Sequence, residues 1–166
     1  MYITDLDGTL LNNSQQLSDF TADTINNLIN SGMVFSYATA RSIVTAGAMT
    51  DAINVNIPVI VHNGALIMES KTKKIVSAEY LEKKDADIML KVLLDNNITP
   101  MVNCFINGVE KISYCSEAMS RGISDFIKSR PYDKRLNNVS QKLCRTLGIR
   151  TSYCSLIIFT DNRRRA

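Results

Sequence analysis

Two carboxylates stand two residues apart near the start of the chain, in the run Asp5-Leu6-Asp7-Gly8-Thr9-Leu10. A pair of acids at that spacing suits phosphoryl transfer. One carboxylate attacks phosphorus and carries the group as an acyl phosphate. The other protonates the leaving oxygen and later takes a proton from water. Acids so close repel each other, and a hard cation such as Mg²⁺, with its preference for oxygen ligands, relieves the repulsion and neutralises phosphate. The ordinary alternative is an acidic turn in which Asp caps a loop and Gly supplies a positive φ. The whole hexapeptide, directly after a strand and ahead of an amphipathic helix, favours the chemistry.

The elements that must position these acids can be read from the same sequence. Met1–Thr4 is predicted as a short strand ending at Asp5, which puts both acids at the carboxyl edge of a sheet, where open α/β sheets bind ligands. Alternation along an extended backbone turns Asp5 and Asp7 the same way. Ser18 is a helix N-cap, Phe20, Thr24, Ile25, Leu28 and Ile29 recur at helical spacing, and Gly32 ends the helix. Met33–Ala38 reads as a buried strand, Ser42–Ala52 as a helix and Ile57–Val61 as another buried strand. That alternation over residues 1–61 predicts a parallel sheet flanked by helices.

Past Asn63 the texture changes. Ala65–Met68 and Ile75–Ala78 read as a hairpin, and Asp85–Leu94 as a helix. Thr99–Ile106 and Glu110–Cys115 read as strands joined through Asn107-Gly108, a hairpin turn signal. Glu117–Lys128 is a predicted helix and Ser155–Thr160 a last strand. The predicted organisation is an α/β unit over residues 1–80 and an α+β unit over residues 81–166.

Composition narrows the function classes. The chain has 166 residues, 45% of them apolar, and a net charge of +3. Arg163, Arg164 and Arg165 supply that excess at the extreme end, so no distributed basic face marks a nucleic-acid binder. No apolar run is long enough to span a bilayer, and the acidic opening is unlike a secretory signal. A cytoplasmic location is expected. Cys104, Cys115, Cys144 and Cys154 form no C-x-x-C pair, and the lone His62 completes no zinc set. Core packing as free thiols is the expectation.

Asp5–Leu10 resembles the first signature of the haloacid dehalogenase superfamily, D-x-D-G-T-[LV], and the sequence after it is similar to the Cof-type branch of sugar-phosphate and metabolite phosphatases. The resemblance implies a partial Rossmann-like parallel sheet core plus an α+β cap domain. It makes Asp5 the nucleophile and Asp7 the general acid/base. It places Mg²⁺ on the Asp5 carboxylate and the Asp7 backbone carbonyl. Phe35-Ser36-Tyr37-Ala38-Thr39-Ala40-Arg41-Ser42 resembles the branch's T-G-R-S strand end, so Thr39 contacts the phosphoryl group, with Gly8, Thr9 and Arg41 completing the phosphate set. A hydroxyl at a strand end ahead of a helix N-terminus also suits an anion physically. Ala40 stands where the family has Gly, a change expected to alter the turn.

Val59-Ile60-Val61-His62-Asn63-Gly64-Ala65 resembles the branch's third strand and its Asn-Gly turn, which puts Asn63 and Gly64 at the mouth of the site as substrate residues; a plain turn is the equal alternative. His62 reads as structural. In the cap-like stretch Phe126–Leu136, Arg135 is a candidate substrate contact, with a surface salt bridge the commoner role for such a residue. The family's late Lys and G-D-x-x-N-D loop are not found. Leu156–Asn162 ends in Asp161 and follows Lys142, but it reads better as a cap strand than as that loop. The expected function is a Mg²⁺-dependent phosphatase for small phosphorylated metabolites. A fragment or pseudoenzyme lacking the late motifs is one alternative and a phosphomutase-type phosphotransferase another. A half-built sheet with an open edge also predicts association with a second copy.

Overall fold

The structure is a computed structural model that describes residues 1–106, 109–139 and, as backbone, 151–157. The chain divides into two compact units, Met1–Glu79 and Tyr80–Ala166.

The first unit is a mixed five-stranded sheet in the order β1 to β5. Strands β1 (Tyr2–Asp5), β2 (Phe35–Ala38) and β3 (Val59–Val61) run parallel, and the β4 (Leu66–Met68) and β5 (Ile75–Ala78) hairpin continues the sheet antiparallel. The register between β1 and β2 runs from Tyr2 opposite Phe35 to Asp5 opposite Ala38. The crossovers are α1 (Asp19–Asn30) and α2 (Ile43–Thr50). Ser18 and Ser42 cap them, their side chains accepting from the Thr21 and Thr45 N–H groups. Each such cap satisfies one orphan donor of a first helical turn.

Helix α1 ends differently from the simple stop at Gly32. Met33 N–H donates to Leu28 O at 3.0 Å and Gly32 N–H to Ile29 O at 2.9 Å, with Gly32 at φ +99. That is the Schellman closure, and it consumes Met33, so the second strand begins at Phe35 rather than at Met33. The face of α1 also departs from expectation. Ala22 and Ile25 are buried, whereas Phe20 is 80% exposed. The helix touches its sheet along the row through 22, 25 and 29, and small Ala22 hides that row from a reading based on large apolar residues.

Asparagine side chains fasten the crossovers. Asn56 Nδ2 donates to Met33 O while its Oδ1 accepts from Phe35 N–H. Asn26 bridges α1 to the loop after α2, donating to Ala52 O and accepting from Asn54 N–H, both at 2.8 Å.

The second unit is a four-stranded sheet in the order β8-β7-β6-β9, from β6 (Met101–Ile106), β7 (Val109–Tyr114), β8 (Leu136–Asn138) and β9 (Thr151–Ile157). Alternation gives central β6 two packed faces. Val102 and Cys104 meet Ala86 and Leu90 of α3 (Lys83–Asp95), while Met101 joins Ile112 and Ile123 of α4 (Arg121–Lys128). The predicted helix 117–128 is interrupted. A short 3-10 turn, Ser116–Ala118, is followed by extended Met119, and α4 restarts under the Ser120 cap. Strand β8 was not foreseen; it pairs parallel with β7. β9 pairs antiparallel with β6, so the apolar stretch reaching Ile157 belongs to the second sheet. The Asn107-Gly108 turn, Lys142, Asp161 and the terminal arginines lie outside the described residues. Cys104 and Cys115 are buried free thiols. Among the described residues no helix is long and apolar enough to cross a membrane.

Arg135 ties this unit together. Its guanidinium donates to Asp133 Oδ1 and Oδ2 at 2.9 and 2.6 Å and to Glu110 Oε1 at 3.1 Å, with all three side chains largely covered. Its carbonyl accepts from Ile112 N–H at 2.8 Å. The Arg135 hydrogen bonds hold the Asp133 carboxyl below its ordinary value of 3.8, against an opposing push from burial. A depressed acid of this kind stabilises the fold above the unfolded-state value, and that contribution is lost as pH falls through the folded-state value. Asp133→Asn is therefore expected to lower the thermal midpoint at pH 7. The gap to the unsubstituted chain should shrink as melts are repeated below about pH 4; a gap of constant size down to pH 3 would contradict the assignment.

Candidate active site

The site forms where β1, β2 and β3 end. Asp5 is the last residue of β1, and the chain then makes a single wide turn, Leu6–Leu10, closed by Leu11 N–H donating to Leu6 O at 2.9 Å. Buried Leu6 and Leu11 anchor the turn from below. Gly8 sits at φ +73 with nothing within 4 Å of the position its Cβ would take, so glycine is needed there for backbone freedom and not for space. Asp5 Oδ1 accepts from Leu6 N–H at 2.8 Å, while Thr9 is exposed.

Beyond β2, Thr39 is buried, and its hydroxyl oxygen accepts from Arg41 N–H at 3.2 Å. Ala40 is not among the positive-φ residues, so the departure from glycine is accommodated without backbone strain. Arg41 closes on Asp7. Its Nε donates to Oδ2 at 2.8 Å and its Nη2 to Oδ1 at 2.6 Å, and Nη2 also meets Gln15 Oε1 at 3.1 Å. The Arg41 hydrogen bonds draw the Asp7 carboxyl below its ordinary range, opposed by slight burial, and the same contact raises Arg41. Asp7 is thus an ionised carboxylate at neutral pH.

The loop after β3 is stitched to the loop after β2. His62 N–H donates to Arg41 O at 3.0 Å and Asn63 N–H to Thr39 O at 3.1 Å. His62, Asn63 and Gly64 take φ values of +52, +56 and +92, a run of left-handed residues. Such conformations persist where surrounding bonds over-determine them, and they gather at functional sites. Buried His62 is thereby a structural member of the site floor.

The structure thus brings Asp5, Asp7, Gly8, Thr9, Thr39, Arg41, Asn63 and Gly64 to one edge of the first unit. It turns Arg41 onto Asp7, a pairing that the sequence reading did not foresee. Arg135 belongs to the second unit and spends its guanidinium on Asp133 and Glu110. Gln15 was missed as well; its signal is the Asn12-Asn13-Ser14 turn composition just ahead of it. A separate concavity of about 730 Å³ lies toward the amino end of β1, lined by Met1, Tyr2, Ile25, Leu28 and Val34 among others, away from these groups.

For a cation, the site offers oxygen donors, which fit a hard ion such as Mg²⁺. Among the described residues no cluster of three or more His, Cys, Asp or Glu side chains completes a metal cage.

Residues 2–161 match the model of the haloacid dehalogenase-like hydrolases. The chain belongs to that family. A protein of Buchnera aphidicola (subspecies Baizongia pistaciae), whose name gives phosphatase as a supposed activity, is 35% identical over 94 residues, 57% of this chain and 35% of its own length. A haloacid dehalogenase-like hydrolase of Bacillus subtilis superposes with a TM-score of 0.71 at 19% identity, over 98% of this chain and 62% of that one. A subclass IIB sugar phosphatase of the superfamily gives 0.62 at 14% identity, over 87% of this chain and 54% of its own. The chain therefore spans about a third of the length of the first relative and little more than half of the solved phosphatase. At these identities the solved structures establish the fold, which is the α/β architecture of this hydrolase family.

The left-handed run gives a direct check on the site floor. Gly64→Ala is expected to destabilise the first unit by about 1–2 kcal/mol, because an L-residue is strained at that φ. Gly47→Ala, inside α2 with nothing near its would-be Cβ, is expected to be neutral or stabilising by up to about 1 kcal/mol. Urea unfolding of the two variants measures both; equal effects of one sign would show that the Gly64 backbone does not need its left-handed state.

Proposed function

We propose that this chain carries the phosphoryl-accepting part of a phosphatase for small phosphorylated metabolites, sugar phosphates among them. The observation that carries the reading is the convergence of the Asp5–Asp7 turn, the buried Thr39 hydroxyl and Arg41 at the carboxyl ends of adjacent parallel strands. Asp7, ionised in the resting site, first takes a proton from solvent. A carboxylate oxygen of Asp5 then attacks phosphorus, and the bond to the leaving oxygen breaks as that oxygen takes this proton from Asp7. Water then attacks the aspartyl-phosphate and gives its proton to Asp7, which releases it to solvent, so inorganic phosphate leaves and both acids return to their ionised starting states. The approach of an anionic phosphate raises the affinity of the ionised Asp7 for the proton it must deliver.

Thr39 and the turn at Gly8 and Thr9 face the phosphoryl oxygens. Arg41 adds positive charge, since its Nη1 has no hydrogen bond among the described residues while the other nitrogens hold Asp7. Asn63 and Gly64 meet the remainder of the substrate, and the second unit, residues 80–166, serves as the cap. The Asp5 carboxylate and the Asp7 carbonyl would hold Mg²⁺, which when bound supplies charge neutralisation at the phosphoryl group. Buried free Cys104 and Cys115 suit a reducing, cytoplasmic setting.

A second reading is a fragment that keeps the fold and binds without turnover. It is favoured by the share of its relatives' length that this chain spans, 35% for the Buchnera aphidicola protein. Phosphate release from a panel of sugar phosphates with Mg²⁺ separates the two. The first reading expects turnover that falls by at least about a thousandfold in Asp5→Asn, which removes the nucleophile; equal release by both proteins selects the second.

We also propose self-association through β1. Among the described residues its outer edge pairs with no strand, and Tyr2 and Ile3, on opposite faces, are 67% and 48% exposed. Parallel strands are normally covered on both faces. Light scattering coupled to size exclusion should find a dimer or larger species that Ile3→Lys reduces to monomer; a monomer at every concentration tested would refute it.

A further inference from the structure

Gln15 has no part in the reading above, yet it is held in place with care. Its φ of +58 lies in the left-handed region that residues with a side chain avoid. The turn around it enforces that value. Asn12 N–H donates to Gln16 O at 2.9 Å and Gln15 N–H to Asn12 O at 2.8 Å. Asn12 Oδ1 accepts from the Ser14 and Gln16 N–H groups at 2.9 and 3.0 Å. The result presents Gln15 Oε1 to Arg41 Nη2 at 3.1 Å, on the same nitrogen that donates to Asp7 Oδ1 at 2.6 Å.

A guanidinium is a rigid planar fork, so a third acceptor fixes the roll that two contacts to one carboxylate leave loose. A neutral amide oxygen does this without competing for the charge that binds Asp7. A carboxylate in its place would draw Arg41 away. Arg41 itself is pinned at its backbone by Thr39 and His62, which leaves its side chain as the adjustable part. We propose that Gln15 is a positioning residue that acts through Arg41 to set the direction of the Asp7 carboxylate. Its catalytic meaning rests on the phosphatase reading; the positioning itself does not.

Both parts can be tested on the full chain labelled with ¹⁵N. The Arg41 Nε–H signal is identified by its loss in Arg41→Lys. Gln15→Asn keeps a residue that tolerates the left-handed turn but shortens the side chain by one methylene, so the amide no longer reaches. The expected result is a shifted Arg41 signal with faster hydrogen exchange while backbone amides outside the turn hold their positions. The kcat for phosphate release should fall about tenfold with KM nearly unchanged, the mark of a misdirected group rather than lost binding. Gln15→Glu should also shift the signal and lower kcat.

An Arg41 signal unmoved by Gln15→Asn, or one that exchanges in the unsubstituted chain as fast as free arginine, would overturn the positioning role. A shifted signal with unchanged kcat, while Asp5→Asn is inactive, would overturn its catalytic meaning. Should the unsubstituted chain and Asp5→Asn release phosphate alike, the phosphatase reading fails, and the Arg41 signal still decides the positioning role.

Discussion

The site depends on the parallel register of the first two strands. Because Tyr2 lies opposite Phe35 and Asp5 opposite Ala38, both strands finish at the same height, and the loops that leave them start side by side. A slip of β1 by one residue would turn it over against β2 and send the Asp5 side chain to the other face. The third strand joins through Ala38 opposite Ile60. Thr39 N–H then donates to Ile60 O at 2.9 Å, and the amides of His62 and Asn63 donate back to the preceding loop. Three chain segments distant in sequence thus share one hydrogen-bonded floor. Left-handed residues at 62–64 are tolerated because this floor leaves those amides nowhere else to go.

Above that floor, electrostatics supply direction more than stability. The contact between Arg41 and Asp7 is short and bidentate, yet the Asp7 side chain is 45% exposed. A pair so open to water adds about 0–1 kcal/mol to folding. What the contact does is choose a conformation for a carboxylate that would otherwise sample several. The covered triad of Arg135, Asp133 and Glu110 in the second unit is different in kind. There the charges are shielded, each has a partner, and removal of one would strand the others. Similar residue types therefore serve orientation in one unit and cohesion in the other, and burial decides which.

Much of this was legible in the sequence because it rests on local rules. The serine cap at 18, the alternation of strands and helices, and the β4–β5 hairpin follow from residue type and spacing. The aspartate turn was legible because a glycine directly after the paired acids and an apolar strand supplies the positive φ that a turn there requires. What escaped was set by contacts distant in sequence. Nothing near Arg41 announces that it will meet Asp7, and nothing near Gln15 announces that it will meet Arg41. Strand β8 has weak strand composition in Leu136-Asn137-Asn138 and exists because β7 offers an edge beside it. Phe20 opens the set at helical spacing but is exposed, and small Ala22 is the residue α1 buries in its first turns.

The β1–β2 pairing also has a consequence in time. Strand β1 is made before its partner, which lies more than thirty residues later. Closing a loop of that length costs on the order of 3 kcal/mol in chain entropy before any ladder bond forms. During synthesis, then, the aspartate turn exists long before anything holds it in shape. Its geometry is an acquisition of the nearly finished unit, and a nascent chain stalled before Phe35 would display an unpaired apolar strand to whatever chaperone or neighbour it met first.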